Sequence, residues 1–338
     1  MPIRRTLSAV AVLAFALVSE SAPLRAEVPD VAADIAPVHA LVARVMQGVG
    51  SPALIIDPNA SPHGYALRPS EAAALQAADL VVWTGAALTP WFGETLGKLA
   101  PDAKSLELLD LPETRRLPFR EGLTFAAADG DEDHGHDDHG HDDHGHDDHE
   151  DQNDHAAHDE HGHAHAGTDP HAWLDPANAR GWLEAIARHL SELDPDNAAT
   201  YAVNAQAARQ ELRLLEAEIT ARLAPLSGLR YLVAHDAYQY FETQFGLRPA
   251  GAVALGDAAD PGPARVAALR DMVRARGIAC IFTEPQFRPT VIDRVFGGVA
   301  HHGILDPLGS GHDPGPGLYP ALLRDMADAL TACAEAAG

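Results

Sequence analysis

Histidine is the residue whose spacing in this chain most plainly indicates chemistry. Twelve of the twenty histidines lie between Asp129 and His165, together with fifteen carboxylates and no lysine or arginine. Three consecutive copies of Asp-His-Gly-His-Asp fill the range Asp133–Asp147. Neutral imidazoles bind zinc, copper and nickel, and a polyanionic setting attracts divalent cations to them. The pattern predicts a metal-gathering loop at residues 129–165.

This histidine-rich segment has almost no apolar side chain to bury, so we expect it to be disordered without metal. Two other interpretations remain, a solvated acidic linker and a piece of cloning tag. A tag would be a plain histidine run at a terminus, and a solubilising linker needs carboxylates alone. We therefore favour accessory metal binding by His134, His136, His139, His141, His144, His146, His149, His155, His158, His161, His163 and His165.

Three histidines outside this segment lie where predicted strands end or loops begin. They are His63, before a predicted helix, His171, in the run Asp-Pro-His-Ala-Trp, and His235, directly after a predicted strand. Ligands of open α/β sheets bind at the carboxyl ends of strands. Three imidazoles from two lobes would give zinc a tetrahedral site with one position for a carboxylate or water. Asp306, after the last predicted strand, is the candidate carboxylate.

Each of these histidines taken singly is more often a structural residue than a ligand. Only their combined placement at strand ends favours a metal site. The other histidines are predicted to be structural or surface residues: His39, His189, His301, His302 and His312.

The elements that must position these side chains alternate between strands and helices along the chain. Such alternation predicts an α/β fold with parallel sheets covered by helices on both faces. The predicted strands are Val28–Ala33, Ala53–Ile56, Leu80–Thr84, Ser105–Leu108, Tyr231–Ala234, Arg248–Val253, Ile278–Phe282 and His302–Leu305. The predicted helices are Pro37–Met46, Pro69–Ala77, Leu88–Leu99, Ala177–Leu193, Tyr238–Phe245, Pro263–Arg276, Pro289–Val299 and Tyr319–Cys333.

A further stretch predicts a long helix between the two alternating regions. From Asp194 to Leu223 the residues favour a helix, with no glycine and no proline after Pro195. Thirty such residues would make a rod of roughly 45 Å. We therefore expect two lobes joined by one stiff helix, since a mature chain of this length is too large for one compact core. The predicted division is an N-terminal lobe over 27–193, a linking helix over 194–226 and a C-terminal lobe over 227–338.

Residues 1–26 are typical of a secretory signal peptide. Arg4 and Arg5 supply the positive start, Leu7–Val18 is apolar but too short to span a bilayer, and Ala26 ends a plausible cleavage site. The length argues against a membrane anchor. We expect the mature protein to be exported and soluble.

The two cysteines indicate a possible disulfide, and the net charge argues against nucleic acid as a partner. In an oxidising compartment Cys280 and Cys333 would form one disulfide, with two buried free thiols as the alternative. The net charge is −25, of which the fifteen carboxylates of the histidine-rich segment account for fifteen. Nucleic acid is therefore not an expected partner.

Several stretches of the chain resemble the metal-binding solute receptors of bacterial ABC transporters, in particular the zinc branch of the ZnuA type. They are Ile-Ala-Pro-Val-His at 35–39, Ser-Pro-His-Gly-Tyr-Ala-Leu-Arg-Pro-Ser at 61–70, Asp-Pro-His-Ala-Trp-Leu-Asp at 169–175, His-Asp-Ala-Tyr-Gln-Tyr-Phe at 235–241, Phe-Thr-Glu-Pro-Gln-Phe at 282–287 and Leu-Asp-Pro-Leu-Gly at 305–309.

This resemblance implies a four-stranded sheet in each lobe and a metal ion between the lobes. It places His63, His171 and His235 on the family's ligand positions and Cys280–Cys333 on its disulfide. A His-rich insertion before the second ligand histidine is typical of the zinc branch. The expected protein is thus a monomeric periplasmic receptor that captures Zn²⁺ and delivers it to the membrane permease of an ABC transporter.

Two positions depart from the pattern of some relatives. Some zinc receptors of this type carry a glutamate beside the first ligand histidine, where this chain has Pro62. Related receptors place a ligand aspartate where this chain has Asp306, but zinc receptors do not always use it, so water remains the alternative fourth ligand. Manganese relatives tend to carry a carboxylate in place of His235, and three nitrogen ligands favour zinc over manganese.

Two other function classes remain as alternatives to a transport receptor. One is a free-standing periplasmic zinc buffer or chaperone. The other is a metallohydrolase, because three histidines and a water also describe a catalytic zinc site. The chain has no HExxH, GxSxG or P-loop pattern, and we expect it to catalyse no reaction.

Overall fold

The structure is a computed structural model that describes residues 28–120, 167–254, 263–285 and 299–337. The predicted signal peptide, the histidine-rich segment 129–165 and nearly all of the predicted helix Pro289–Val299 lie outside these residues.

Two four-stranded parallel sheets form the centres of the two lobes, as predicted. The first sheet has the order β2-β1-β3-β4, and the second has the order β6-β5-β7-β8. The strands are β1 Val31–Ala33, β2 Ala53–Leu54, β3 Leu80–Trp83, β4 Lys104–Glu107, β5 Tyr231–His235, β6 Gly251–Ala254, β7 Cys280–Thr283 and β8 His301–Ile304.

The central strands are buried along their whole length. All residues of β3 and β5 are buried, which is why their sequences read as continuous apolar runs rather than as an alternating pattern. Helices cover the sheets: α1 Ala36–Val45, α2 Pro69–Ala77, α3 Phe92–Leu99, α4 Pro176–Leu193, α5 Ala198–Leu223, α6 Gln239–Phe245, α7 Pro263–Arg276 and α8 Leu318–Ala337.

Helix α3 begins four residues later than the predicted Leu88–Leu99. Pro90 disfavours helical backbone at the residue before it, and the backbone N–H groups of Leu88 and Thr89 instead donate to the Gly85 carbonyl in a turn. The prediction of a helix from Leu88 is therefore wrong at its start. The other predicted elements in the described ranges begin and end within a few residues of those observed.

The long linking helix is confirmed, although it is shorter than predicted. Pro195–Asn197 forms a separate 3₁₀ turn, and α5 is 26 residues long, about 39 Å. The buried carboxylate of Asp194 accepts hydrogen bonds from Asn197 and from the Tyr201 hydroxyl and so fixes the corner between α4 and α5. Helix α5 packs against α1 and α4 of the first lobe and against α6 and α8 of the second. The exact division at 194 and 226 stays a prediction.

The two lobes are also joined directly. One apolar cluster includes buried side chains from both sheets and from α5. Within it, the Trp173 indole N–H donates to the Pro307 carbonyl (2.7 Å), and the Tyr319 hydroxyl donates to the Trp173 carbonyl (2.6 Å). These buried contacts hold the two lobes together in addition to α5.

The disulfide prediction is confirmed. Cys280, the first residue of β7, is bonded to Cys333 on α8. The alternative of two free thiols is therefore wrong. The bond fixes the closing helix to the centre of the second sheet.

None of the helices in the described ranges combines the length and the apolar character that a membrane crossing requires.

Candidate metal centre

Three separate elements bring His63, His171 and His235 together between the lobes. His63 is the middle residue of the 3₁₀ turn Pro62–Gly64. Ser61 caps this turn, because its hydroxyl accepts a hydrogen bond from the His63 backbone N–H. His171 directly precedes the 3₁₀ turn Ala172–Leu174 that leads into α4. His235 is the last residue of β5, at the carboxyl end of a central strand.

The three imidazoles are within reach of one cation. One ring nitrogen from each histidine lies within 4.8 Å of the others. The ring centroids of His171 and His235 are 5.0 Å apart. The ring centroid of His63 lies 6.0 Å from that of His171 and 6.1 Å from that of His235. Tetrahedral zinc with bonds of about 2.0–2.1 Å needs ligand nitrogens roughly 3.4 Å apart. The largest of the observed separations, at most 4.8 Å, exceeds this by no more than about 1.4 Å, so small movements of the rings would bring all three nitrogens onto one ion.

The histidines line a cavity of about 330 Å³. His171 and His235 are buried, whereas His63 is partly exposed. The other described residues that line it are Asn59, Ser61, Pro62, Trp173, Glu284, Pro307 and Leu308. The site is thus shielded from water on the side of the two buried histidines, which strengthens electrostatic interactions there.

Two buried carboxylates hold the rings of the buried histidines. The Nδ1 atom of His171 lies 2.7 Å from Asp169 Oδ1, and the Nδ1 atom of His235 lies 3.0 Å from Glu284 Oε1. A carboxylate accepts a hydrogen bond, so it keeps the proton on Nδ1 and leaves the Nε2 lone pair for a metal. This is the usual support of a metal-binding histidine. Sequence reasoning assigned no role to Asp169 or Glu284, although both lie in the motifs that carry the family resemblance.

Burial sets the protonation of this site. Burial, together with the neighbouring His235 and His63, lowers the pKa of His171 well below its ordinary value of 6.5. Burial also raises the pKa of Asp169 to about 7, against the opposing effect of the His171 backbone N–H and Arg120. The His171 imidazole is therefore neutral at physiological pH, which is the form that binds metal.

Asp306 does not belong to the group of three histidines. Its Oδ1 accepts from the backbone N–H groups of Leu308 and Gly309, and its Oδ2 accepts from the Ser310 hydroxyl. The carboxylate thus caps the turn that follows β8, and it is not among the residues that line the cavity.

The histidines predicted to be structural or surface residues lie apart from this group. His39 is buried and its Nε2 lies 3.1 Å from the Pro52 carbonyl, while His189 Nδ1 lies 2.9 Å from the Ala185 carbonyl. His302 contacts the Thr283 hydroxyl, His312 contacts Asp325, and His301 is exposed.

Comparison with known proteins places this chain in a family. The model of the family described as zinc-uptake complex component A, periplasmic, matches residues 31–333. The chain is 48% identical over 324 residues to the high-affinity zinc uptake system protein ZnuA of Paracoccus denitrificans, covering 95% of this chain and 97% of the relative. It is 33% identical over 305 residues to the protein of the same name from Yersinia pestis, with 90% of each chain covered.

Solved structures share the fold. A crystal structure of ZnuA superposes with a TM-score of 0.68 at 20% identity, covering 90% of this chain and 100% of the other. The periplasmic zinc-binding protein TroA from Treponema pallidum has a TM-score of 0.68 at 19% identity, with 90% and 98% of the chains covered. At these identities the likeness concerns the two-lobed fold alone.

Proposed function

The chain belongs to the family of periplasmic zinc-uptake complex component A, and from this we propose that it is a receptor that captures Zn²⁺ and delivers it to the membrane permease of an ABC importer. The observation that carries the proposal is the set of three imidazoles whose ring nitrogens lie within 4.8 Å of one another at the lobe interface. A free-standing zinc buffer is not favoured, since the related proteins are named as parts of an uptake system.

The ligands in this proposal are the Nε2 atoms of His171 and His235 and a ring nitrogen of His63. Three nitrogen ligands suit zinc, whereas a site for manganese would use carboxylates. We assign the fourth position to water, because the oxygens of Asp306 already accept three hydrogen bonds within their own turn. Zinc is the cargo of this site and no reaction takes place there.

The roles of the nearest carboxylates support the proposal that the site catalyses no reaction. A hydrolytic zinc site needs a general base beside the metal-bound water. Asp169 and Glu284 each accept from the Nδ1 atom of a histidine, on the side of the ring away from Nε2. They therefore orient ligands rather than activate water.

The remaining predictions complete this proposal. Residues 1–26 direct export, the mature receptor acts as a monomer in the periplasm, and the histidine-rich segment 129–165 is a weaker, multi-site collector of zinc. The position of this segment, directly upstream of His171, supports the last role. Imidazoles and carboxylates outside a buried site bind metal with fewer fixed ligands and hence more weakly.

The test is zinc stoichiometry, measured by metal analysis and chelator competition on the intact protein, on a variant without residues 129–165 and on His235→Ala. We expect one tight site to survive deletion of the segment and to be lost in His235→Ala. A matched control is His189→Ala, because His189 hydrogen-bonds only to its own helix among the contacts described. If deletion removed the tight site, the collector role would be wrong. If His235→Ala kept it, the ligand set would be wrong.

A further inference from the structure

The chain segment at residues 117–120 leaves the first lobe and lies against the second. The Leu117 backbone N–H donates to the Tyr240 hydroxyl of α6 (2.8 Å), and the same hydroxyl donates to the Asp169 carbonyl (2.9 Å). Tyr240 is fully buried. A side chain of the second lobe therefore holds two backbone segments of the first lobe together.

These two segments are also paired with each other. Pro118 and Thr168 form an antiparallel bridge, the Phe119 N–H donates to the Gly167 carbonyl (3.2 Å), and the Asp169 N–H donates to the Leu117 carbonyl (2.9 Å). Residues 117–119 are thus fixed to the strand-like segment that carries Asp169, the carboxylate that holds His171.

Arg120, the next residue, reaches two buried carboxylates of the second lobe. Its Nε and Nη2 contact Asp236, and its Nη1 lies 2.8 Å from Glu242 Oε2. Asp236 directly follows His235. Glu242 accepts from the hydroxyl of Tyr231, the first residue of β5 (3.1 Å). Arg120 therefore contacts groups that are linked to both ends of the strand that presents His235.

We infer that Arg120 is a positioning residue of the metal site, one that fixes the distance between His235 on the second lobe and His171 on the first. The connection runs from His171 through Asp169 and the paired backbone to Arg120, and from Arg120 through Asp236 to His235. This inference rests on the proposed function, because it concerns the affinity of the same three-histidine site.

The physical reason lies in the geometry of the guanidinium group. Its planar donors hold two carboxylates at fixed angles, whereas a lysine ammonium is a single mobile point charge. Metal ligands must be held to within about half an ångström of their productive positions. A purely structural role is the competing explanation, since Asp236 and Glu242 are two buried carboxylates that need a positive partner. The two explanations predict different results for Arg120→Lys. If the role is purely structural, lysine should restore both the stability and the zinc affinity, whereas a positioning role predicts that it restores the stability alone.

The experiment compares Arg120→Lys and Arg120→Gln with the wild type and with Arg180→Gln in the full chain. Arg180 is a matched control because it pairs with Glu216 between α4 and α5, and its side chain is 21% exposed against 18% for Arg120. A chromophoric chelator strong enough to empty all but the tight site would be used for both measurements. Competition with the chelator would give the zinc affinity, and the rate at which excess chelator removes the bound zinc would give the dissociation rate. Folding would be followed by thermal unfolding of the metal-free protein.

We expect Arg120→Lys to recover most of the thermal stability and yet to bind zinc roughly ten-fold more weakly, with faster dissociation. Arg180→Gln should keep the wild-type affinity. If Arg120→Gln does not fold, the double variant Arg120→Gln/Glu242→Gln removes one charge of each sign, and it should show the same ten-fold loss.

Two outcomes would overturn the positioning role while leaving the proposed function intact. In one, folded Arg120 variants bind zinc as tightly as the wild type. In the other, affinity merely follows stability and is restored by lysine. A wild-type chain without a tight zinc site would instead refute the proposed function itself, so the two failures are distinguishable.

Discussion

The Nδ1 atom of His171 lies 2.7 Å from Oδ1 of Asp169, two residues earlier in the chain, and both side chains are buried. Glu284 holds His235 in the same way across 49 residues of sequence. Each contact occupies Nδ1, so that Nε2 is the ring nitrogen proposed to bind zinc. The affinity of the site should therefore depend on carboxylates that do not touch the metal.

We expect Asp169→Asn and Glu284→Gln each to weaken zinc binding by about 10- to 100-fold, because an amide can no longer fix the Nδ1 proton and orient the ring as a carboxylate does. Chelator competition would measure the change. The control is Asp194→Asn, which alters an equally buried carboxylate between α4 and α5. It should lower stability but not affinity. Wild-type affinity in both site variants would contradict the proposed ring orientation.

Zinc binding should weaken on acidification, but at a lower pH than it would for a site of imidazoles with ordinary pKa values. Protons compete with metal for the ring nitrogens. Burial and the neighbouring histidines lower the pKa of His171 in the metal-free site, so this ring stays neutral as the pH falls through 6.5 and is protonated only at lower pH. We therefore expect affinity to change little down to pH 6.5 and to fall steeply only at lower pH. Titrations by chelator competition at each pH would test this, and a steep fall at or above pH 6.5 would contradict the lowered pKa of His171.

Removal of the disulfide should lower the free energy of unfolding but leave the zinc stoichiometry of the metal site unchanged. Cys280 and Cys333 are 53 residues apart in sequence, and closing a loop of that length stabilises the folded state by roughly 4 kcal/mol in the chain-entropy description. The variant Cys280→Ser/Cys333→Ser should lose a large part of that free energy of unfolding in urea. Its zinc stoichiometry at low temperature should remain one tight ion. A double variant as stable as the wild type would show that the bond contributes nothing.

Replacement of Asp306 separates a turn-capping role from a ligand role. Asp306→Ala removes acceptors for two backbone N–H groups and one hydroxyl. We expect a loss of stability of about 1–2 kcal/mol and a zinc affinity within about three-fold of the wild type. A loss of affinity of 100-fold or more, beyond the loss in His189→Ala, would instead make Asp306 the fourth ligand.

The sequence predicts those parts of this fold that depend on local patterns. Continuous apolar runs indicate the buried strands β3 and β5, and the uninterrupted helix-favouring stretch indicates α5. His63, His171 and His235 could be selected because each follows or precedes a strand or turn at the edge where ligands bind. The start of α3 after Pro90 could also have been predicted from the sequence, because proline disfavours helical backbone at the residue before it. The predicted helix from Leu88 does not take this restriction into account.

The parts that could not be predicted depend on contacts distant in sequence. Arg120 and Asp236 are 116 residues apart, and no local pattern indicates that they meet. The same holds for His235 and Glu284. Asp306 shows that a position after a strand does not by itself distinguish a metal ligand from a residue that caps a turn, since its oxygens accept hydrogen bonds within the following turn. Asp169 could have been noticed from the sequence, because an aspartate two residues before a candidate ligand histidine is within reach of Nδ1.

The most direct measurement is X-ray absorption spectroscopy at the zinc edge, on the variant lacking residues 129–165 loaded with one equivalent of zinc. We expect three imidazole ligands at about 2.0–2.1 Å and one oxygen, and we expect His235→Ala, which should lose the tight site, not to give this three-imidazole spectrum. A spectrum with fewer than three imidazoles, or one unchanged by His235→Ala, would contradict the convergence of His63, His171 and His235 on a single ion.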